Sequence, residues 1–289
     1  METHEELRPY LFAIAYRMLG SVATAEDVVQ EAFLRHHASG DETESPKAYL
    51  ATVTTRLAID ELRSARTRRE VYTGEWLPEP LVEDDAARHA EMSDSLSLTF
   101  LHLLEKLSPV ERAVFLLREV FDYPYDEVAE IVGKTPTNTR QILARAHTHM
   151  SEGRRRFEVS RKERDDVATR FLAAWEDGDV DGLIDLLAPD ATVFGDGGGK
   201  APSMPGPLVG AEWVARALIG WGRQALDRGV TYRRALVNGE PGVVFYEPDG
   251  NVLWVAALEV ADGVVAAVRS ILNPDKLAHV APRSGRRAP

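Results

Sequence analysis

A chain of 289 residues with 44% hydrophobic and 28% charged side chains is long enough for two modest domains or one large one, which excludes a disordered tail or a fibre. It has no cysteine, so disulfides, iron–sulfur clusters, thiolate metal sites and cysteine nucleophiles are excluded, and only His, Asp or Glu remain to hold a metal. The net charge of −12 argues against simple coating of nucleic acid, and with neither an eighteen-residue apolar run nor a basic-then-apolar leader the sequence predicts a cytoplasmic protein without a membrane span.

The apolar residues Leu7, Tyr10, Leu11, Ile14, Met18 and Leu19 recur at helical spacing and predict a helix from Glu5 to Leu19, stopped by Gly20. A second helix is expected from near Thr24, where Thr24 and Asp27 resemble a capping box, through Val28, Val29, Ala32 and Phe33. A third starts at Ser45-Pro46 and turns Leu50, Val53, Leu57 and Leu62 inward. Its other face carries Tyr49, Thr52, Thr55, Arg56 and Arg63, part of a basic island from Lys47 to Glu70. From Tyr72 to about Met92 prolines and carboxylates show no sustained period, so this stretch reads as an acidic linker, either a solvated spacer or one docked through Trp76.

Helices are expected again from Asp94, with Ser108, Pro109 and Glu111 restarting the chain by cap, first-turn proline and reciprocal carboxylate. A short helix over Tyr125 to Val132, a turn at Gly133-Lys134 and a helix from Thr135-Pro136 to about Met150 make a helix-turn-helix pattern. Thr137, Asn138, Arg140, Gln141 and Arg145 can face a DNA groove while Thr139, Ile142, Leu143 and Ala146 face the bundle; the alternative is a helical hairpin with a solvated polar face. The second basic island, Lys134 to Arg164, ends in an exposed helix tail or hinge.

Beyond Asp165 the pattern becomes mixed. Helices are marked by Val167, Phe171, Leu172 and Trp175, by Leu183, Ile184 and Leu187, and by Glu212 to Leu226, with a short strand at Ala191 to Phe194. Strands at Val230–Val237, Val243–Tyr246, Asn251–Val260 and Val264–Leu272 are separated by Asn238-Gly239, Pro248-Asp249-Gly250 and Asp262-Gly263, which predicts hairpins and a largely antiparallel sheet. Asp196-Gly197-Gly198-Gly199-Lys200 lacks the Gly-Lys-Ser/Thr ending of a phosphate loop, since Ala201 follows. Asp196, Lys200, Asp275 and His279 form either an acid/base set or, since no spacing rule unites them, groups with structural roles, the favoured reading. The His36-His37 and His147-x-His149 pairs lack metal-site spacing, and no G-x-S-x-G nucleophile elbow occurs.

These segments resemble the extracytoplasmic-function sigma factors of bacterial RNA polymerase, over Leu7 to about Phe157. Asp27-Val28-Val29-Gln30-Glu31-Ala32-Phe33-Leu34 is similar to the family's polymerase-docking segment. Leu57-Ala58-Ile59-Asp60-Glu61-Leu62-Arg63 is similar to its −10 segment, and Glu127 to Ala146 to its −35 helix-turn-helix. Trp76-Leu77-Pro78-Glu79-Pro80, Asp196 to Lys200 and Asn273-Pro274-Asp275-Lys276-Leu277 resemble the signature of the subgroup with a fused SnoaL-like domain.

The resemblance implies a multidomain fold: two all-α lobes, a region 2 bundle over 1–70 and a region 4 helix-turn-helix over 94–160, joined by the linker 71–93. An α+β SnoaL-like cone over 161–280 with a curved, largely antiparallel sheet follows, then a tail over 281–289. It implies core RNA polymerase (the β′ clamp helices and the β flap) and promoter DNA as partners, no cofactor and no metal, and a cone that regulates in cis and can hold a small ligand. Polymerase binding is then expected at Asp27, Val28, Gln30, Glu31, Phe33 and Leu34. Contacts to the −10 element are expected at Tyr49, Thr52, Thr55, Arg56, Asp60, Arg63 and Arg66, and to the −35 element at Thr137, Asn138, Arg140, Gln141 and Arg145. Regulation is expected at Trp76, Pro78, Asp196, Gly197, Lys200, Asn273, Pro274, Asp275 and Lys276. The alternatives are a SnoaL-like isomerase or hydrolase using Asp196 or His279, or a ligand-sensing repressor, behind the same DNA-binding region.

Overall fold

The computed structural model describes residues 4–38, 45–69, 72–82, 97–151 and 160–282, in two compact units: Met1–Val71 with Ala87–Arg155, and Tyr72–Ala86 with Arg156–Pro289. In the first unit α1 (His4–Leu19), α2 (Val22–Ala38) and α3 (Pro46–Arg69) form a bundle. The turn between α1 and α2 carries Gly20 at φ 65°, whose N–H donates to the Tyr16 carbonyl at 2.7 Å. The cap of α2 is Ser21 rather than Thr24: its Oγ accepts the Thr24 N–H at 3.2 Å, so the helix starts a turn earlier than the sequence suggested.

The second group is α4 (Leu98–Leu104), α5 (Pro109–Glu119), α6 (Tyr125–Val132) and α7 (Pro136–Ser151). At the start of α5 the capping box is present, with Ser108 accepting the Glu111 N–H and Glu111 accepting the Ser108 N–H. Pro124 precedes α6 without a side-chain cap, and Gly133 ends it at φ 65°, ψ 44°, left-handed geometry that costs a residue with a Cβ about 1 kcal/mol or more. Within this unit α1 and α3 pack on α5, and α3 packs on α6. Arg112 of α5, 3% exposed, donates to the Met18 carbonyl at 2.7 Å and faces Glu105 at 2.7 Å. Burial lowers its guanidinium pKa to about 9, so it stays charged at neutral pH.

The second unit is a six-stranded sheet with α8 (Arg161–Asp177), α9 (Val180–Asp185) and α10 (Ala211–Asp227) packed with it, and a last turn α11 (Pro274–Leu277). The strands β1 (Leu187–Asp196), β2 (Leu208–Val209), β3 (Thr231–Val237), β4 (Glu240–Tyr246), β5 (Val252–Ala261) and β6 (Val264–Ile271) lie in the order β2-β1-β6-β5-β4-β3. Every pair is antiparallel except β1–β6, so the sheet is mixed. Both Asn238-Gly239 (φ 54° and 76°) and Asp262-Gly263 (φ 51° and 77°) adopt the two positive φ values that a two-residue hairpin turn of matching twist needs. β1 begins at Leu187, which the sequence had suggested for the preceding helix.

The stretch 72–82 belongs to this unit and is not a bare spacer: Leu77, Leu81 and Val82 are 0%, 1% and 2% exposed. The remaining linker residues 83–93 and the tail 283–289 lie outside the described residues. Among the described residues no helix is long and apolar enough to cross a membrane.

Candidate functional site

The helix-turn-helix is assembled by local rules. Thr135 Oγ1 accepts the Asn138 N–H at 3.2 Å, and Pro136 opens α7, whose period buries Thr139, Ile142, Leu143 and Ala146. The same period leaves Thr137, Arg140, Gln141 and Arg145 exposed, with Asn138 half-buried, so the five predicted groove-facing residues lie off the buried stripe. The Arg140 guanidinium stands 4.8 Å from the Tyr125 ring centre, a cation–π contact that Arg118 also makes, near the start of the helix. Farther along, Arg145 Nε and His149 Nδ1 each approach the Glu111 carboxylate at 3.9 Å, and His147 Nε2 lies 3.5 Å from that of Glu119. Burial raises the Glu111 pKa, but the Ser108 hydroxyl and N–H, helped by His149 and Arg145, outweigh it and hold the group below its usual range.

On α3 the predicted −10 face is divided. Thr52 donates to the Ala48 carbonyl at 2.8 Å, Asp60 and Arg63 are exposed and paired at 3.0 Å, and Tyr49 is half-buried with its ring 5.4 Å from that of His36. Thr55 is a correction: it is fully buried, because the helical period turns it into the bundle beside Thr54 and Ala58. Arg56 is exposed but engaged, its Nε and NH2 donating at 2.9 Å to the carbonyls of Ile131 and Glu130 at the C-terminal end of α6. A cation is favoured there because the last carbonyls of a helix are unpaired and carry its negative dipole end. The Arg66 side chain lies outside the described residues.

On α2, Asp27, Gln30 and Leu34 form an exposed stripe, with Glu31 alongside and paired to Arg35 at 2.7 Å. Leu34 is 58% exposed among carboxylates, an apolar side chain on a polar rim. Val28 is a second correction, since it is 8% exposed and packs inward, and Phe33 is half-buried.

In the second unit the predicted regulatory residues converge on residues 72–82. Asp196, fully buried at the end of β1, accepts the Tyr72 hydroxyl at 2.5 Å on one oxygen. Its other oxygen accepts the Leu77 N–H at 2.8 Å and the Lys276 ammonium at 2.6 Å. Lys276 also donates to the Leu77 carbonyl and lies 4.2 Å from the Trp76 ring centre. Asn273 caps α11 through the Asp275 N–H and donates to the Tyr72 oxygen at 3.0 Å. Burial and the Asp196 carboxylate push the Tyr72 hydroxyl far above the usual phenol range, so it is a fixed donor. Gly197 is buried behind this cluster, while Lys200 and Asp275 are exposed and paired beside the exposed Pro274. Pro78 is buried.

A second anchor was not foreseen. The Leu81 N–H donates to Asn238 Oδ1 at 2.8 Å, the Asn238 N–H returns to the Leu81 carbonyl at 2.7 Å, and Val82 bridges Val237. His279 Nε2 meets the Pro80 carbonyl at 2.8 Å. Apolar Leu81 and Val82 at the end of a proline-rich stretch are the sequence signal that could have found this second anchor.

Between α8, α10 and the sheet lies a cavity of about 470 Å³, lined by aromatic and aliphatic side chains. Asp196 and His279 do not line it and are committed to residues 72–80; among the described lining residues there is no Asp, Glu or His. The arrangement offers a hydrophobic container without an acid/base pair.

The pattern of Sigma-70 region 2 matches residues 3–68, that of Sigma-70, region 4 matches residues 97–150, and that of the SnoaL-like domain matches residues 168–276. Over 287 aligned residues, 94% of this chain and 91% of the relative, the sequence is 37% identical to the ECF RNA polymerase sigma factor SigJ of Mycobacterium tuberculosis. The chain belongs to the extracytoplasmic-function sigma factors. A probable sigma factor of this class from the same species, SigI, is 30% identical over 93% of this chain and 92% of its own. The crystal structure of M. tuberculosis SigJ superposes with a TM-score of 0.78 at 35% identity, covering 95% of this chain and 96% of that one. This sigma factor therefore joins the helical regions 2 and 4 to an α+β SnoaL-like domain with one mixed sheet, and serves promoter-directed transcription initiation.

Proposed function

We propose that this sigma factor docks on the β′ clamp helices of core RNA polymerase through Asp27, Gln30, Glu31 and Leu34, with region 4 at the β flap, in the cytoplasm where the polymerase works. In that complex α3 reads the −10 element with Thr52, Arg56, Asp60 and Arg63, and α7 reads the −35 element with Arg140, Gln141 and Arg145. The SnoaL-like domain restrains this activity by clasping the linker.

The observation that carries the restraint is the seating of residues 72–82 on Asp196, Asn238 and Lys276. These residues lie in the chain between α3 and α4, so fixing them shortens the length over which regions 2 and 4 can part. Elements centred near −35 and −10 lie about 25 base pairs apart, roughly 85 Å of duplex at about 3.4 Å per base pair. Arg56 cannot keep its hydrogen bonds to α6 while α3 and α7 read sites that far apart, so the packed arrangement is the resting one. A clasped linker favours it.

Run-off transcription tests the proposal, comparing core polymerase alone, with the full chain, and with a chain ending near Phe157. Transcripts from a specific promoter that require the chain, and rise on truncation, are expected. Equal or lower output from the truncated chain, with its polymerase binding intact, would reverse the assigned sign.

A further inference from the structure

The first helix of the helix-turn-helix does more than carry the second. α6 is locked to α7 by the left-handed Gly133 and by the Lys134 N–H, which donates to the Ala129 carbonyl at 2.8 Å. Buried Val128, Ala129 and Ile131 on α6 and Ile142 and Leu143 on α7 complete the lock. Across this fixed junction Tyr125, the first residue of α6, has two guanidiniums over its ring, those of Arg118 and Arg140, each 4.8 Å from the ring centre.

The two cations differ in what else they do. Arg118 of α5 is half-buried and donates through NH1 to the Tyr123 carbonyl at 2.7 Å, which ties the turn before α6 to the end of α5. The Phe121 and Tyr123 N–H groups close the same turn on the carbonyls of Leu116 and Leu117, at 3.1 and 2.9 Å. The Tyr125 ring therefore stands on a fixed backbone and under a committed guanidinium. Arg140 is exposed, and no carboxylate among the described residues pairs with it, whereas Arg145 farther along α7 is drawn to within 3.9 Å of Glu111. The N–H donors of Arg140 are left for a ligand while its charge rests over the ring.

An unrestrained arginine on a helix surface samples many rotamers and loses that freedom on docking. One already held over an aromatic face loses less, and its donors arrive in a narrower range of directions. Paired contact with two acceptors on a base edge depends on that direction, while attraction to a phosphate depends on it far less. The stack thus bears on which base is chosen more than on how tightly DNA is held.

We infer that Tyr125 is a positioning residue for promoter specificity: its ring, pinned by Arg118, presets the Arg140 guanidinium for a base edge of the −35 element, so that part of the sequence preference of α7 is set from α6. The inference rests on the −35 reading proposed above for Arg140; the stack itself does not.

Two measurements on the full chain test it. The first needs no DNA and follows the magnetic resonance signal of the Arg140 Nε–H proton, assigned by its loss in Arg140→Ala. The ring displaces that signal in the native chain, so it should hold its place in Tyr125→Phe and move to the position of a solvated arginine in Tyr125→Leu. An unmoved signal in Tyr125→Leu overturns the stack.

The second is run-off transcription with core polymerase on promoters carrying single-base changes in the −35 element. Tyr125→Leu should lower output from the cognate promoter about five- to tenfold and shrink the preference for the cognate base read by Arg140 by a similar factor, and Tyr125→Phe should retain both. Added to Arg140→Ala, Tyr125→Leu should change nothing further, because a residue that acts through Arg140 has no effect once Arg140 is gone. Equal loss on every promoter, a full further loss in the double variant, or Tyr125→Phe behaving like Tyr125→Leu would make Tyr125 a structural or phosphate-contacting residue and overturn the inference. Native base preference in Arg140→Ala would overturn the reading assigned to Arg140 and with it the purpose of the stack, and the proton signal sets that case apart, since it still moves in Tyr125→Leu.

Discussion

Arg140 and Lys276 show how differently one cation can act on each unit. Arg140 is exposed near the start of α7 and steadied by Tyr125, a position consistent with the proposed reading of a base edge. Arg140→Ala should weaken use of a cognate promoter by about 1–3 kcal/mol while leaving promoters with a changed −35 base little affected. Uniform loss across promoters would mark a phosphate contact instead. Lys276 is buried, and its loss strands the fully buried Asp196 carboxylate with only the Tyr72 hydroxyl and the Leu77 N–H. Removing one partner of such a pair costs about 3–5 kcal/mol, so Lys276→Ala should lower the melting temperature of the full chain and expose residues 72–82 to protease. An unchanged digestion pattern would show that the second anchor at Asn238 suffices.

At the scale of elements, one carboxylate links the start of α5 to α7. Glu111 closes the Ser108 capping box and faces Arg145 and His149, and its pKa lies below the ordinary value of 4.5. A folded pKa lowered in this way adds stability that is full above the unfolded pKa and fades as pH falls through the folded one. The melting-temperature gap between the native chain and Glu111→Gln should therefore be full above the ordinary value of 4.5 and close as pH falls through the lowered folded pKa. A gap that persists in acid would assign the effect to packing.

Elements with local signals were legible in the sequence. The Ser108 box, the Gly133 turn and the Asn-Gly and Asp-Gly hairpins each sit within a few residues of the structure they dictate. What could not be read depends on partners distant in sequence. Asp196 reaches back 119 residues to Leu77, and β1 pairs in parallel with β6. Arg56 illustrates the same limit: basic spacing marked it as a DNA contact, while its tie to α6 arises only from tertiary packing.

At the scale of the whole molecule, regions 2 and 4 lie in one unit, and the proposed restraint requires that they part on the promoter and that the hold on residues 72–82 makes parting harder. The absence of cysteine allows spin labels at two introduced sites, Ser64→Cys on α3 and Lys134→Cys in the helix-turn-helix turn, both exposed. The inter-label distance is measured by pulsed electron resonance in the free chain, in the Tyr72→Phe chain, and in complex with core polymerase and promoter. The account predicts one short distance in the free chain, a broader distribution when the clasp is weakened, and an increase on the order of tens of ångströms in the promoter complex. A short distance that survives in a transcribing complex would contradict it.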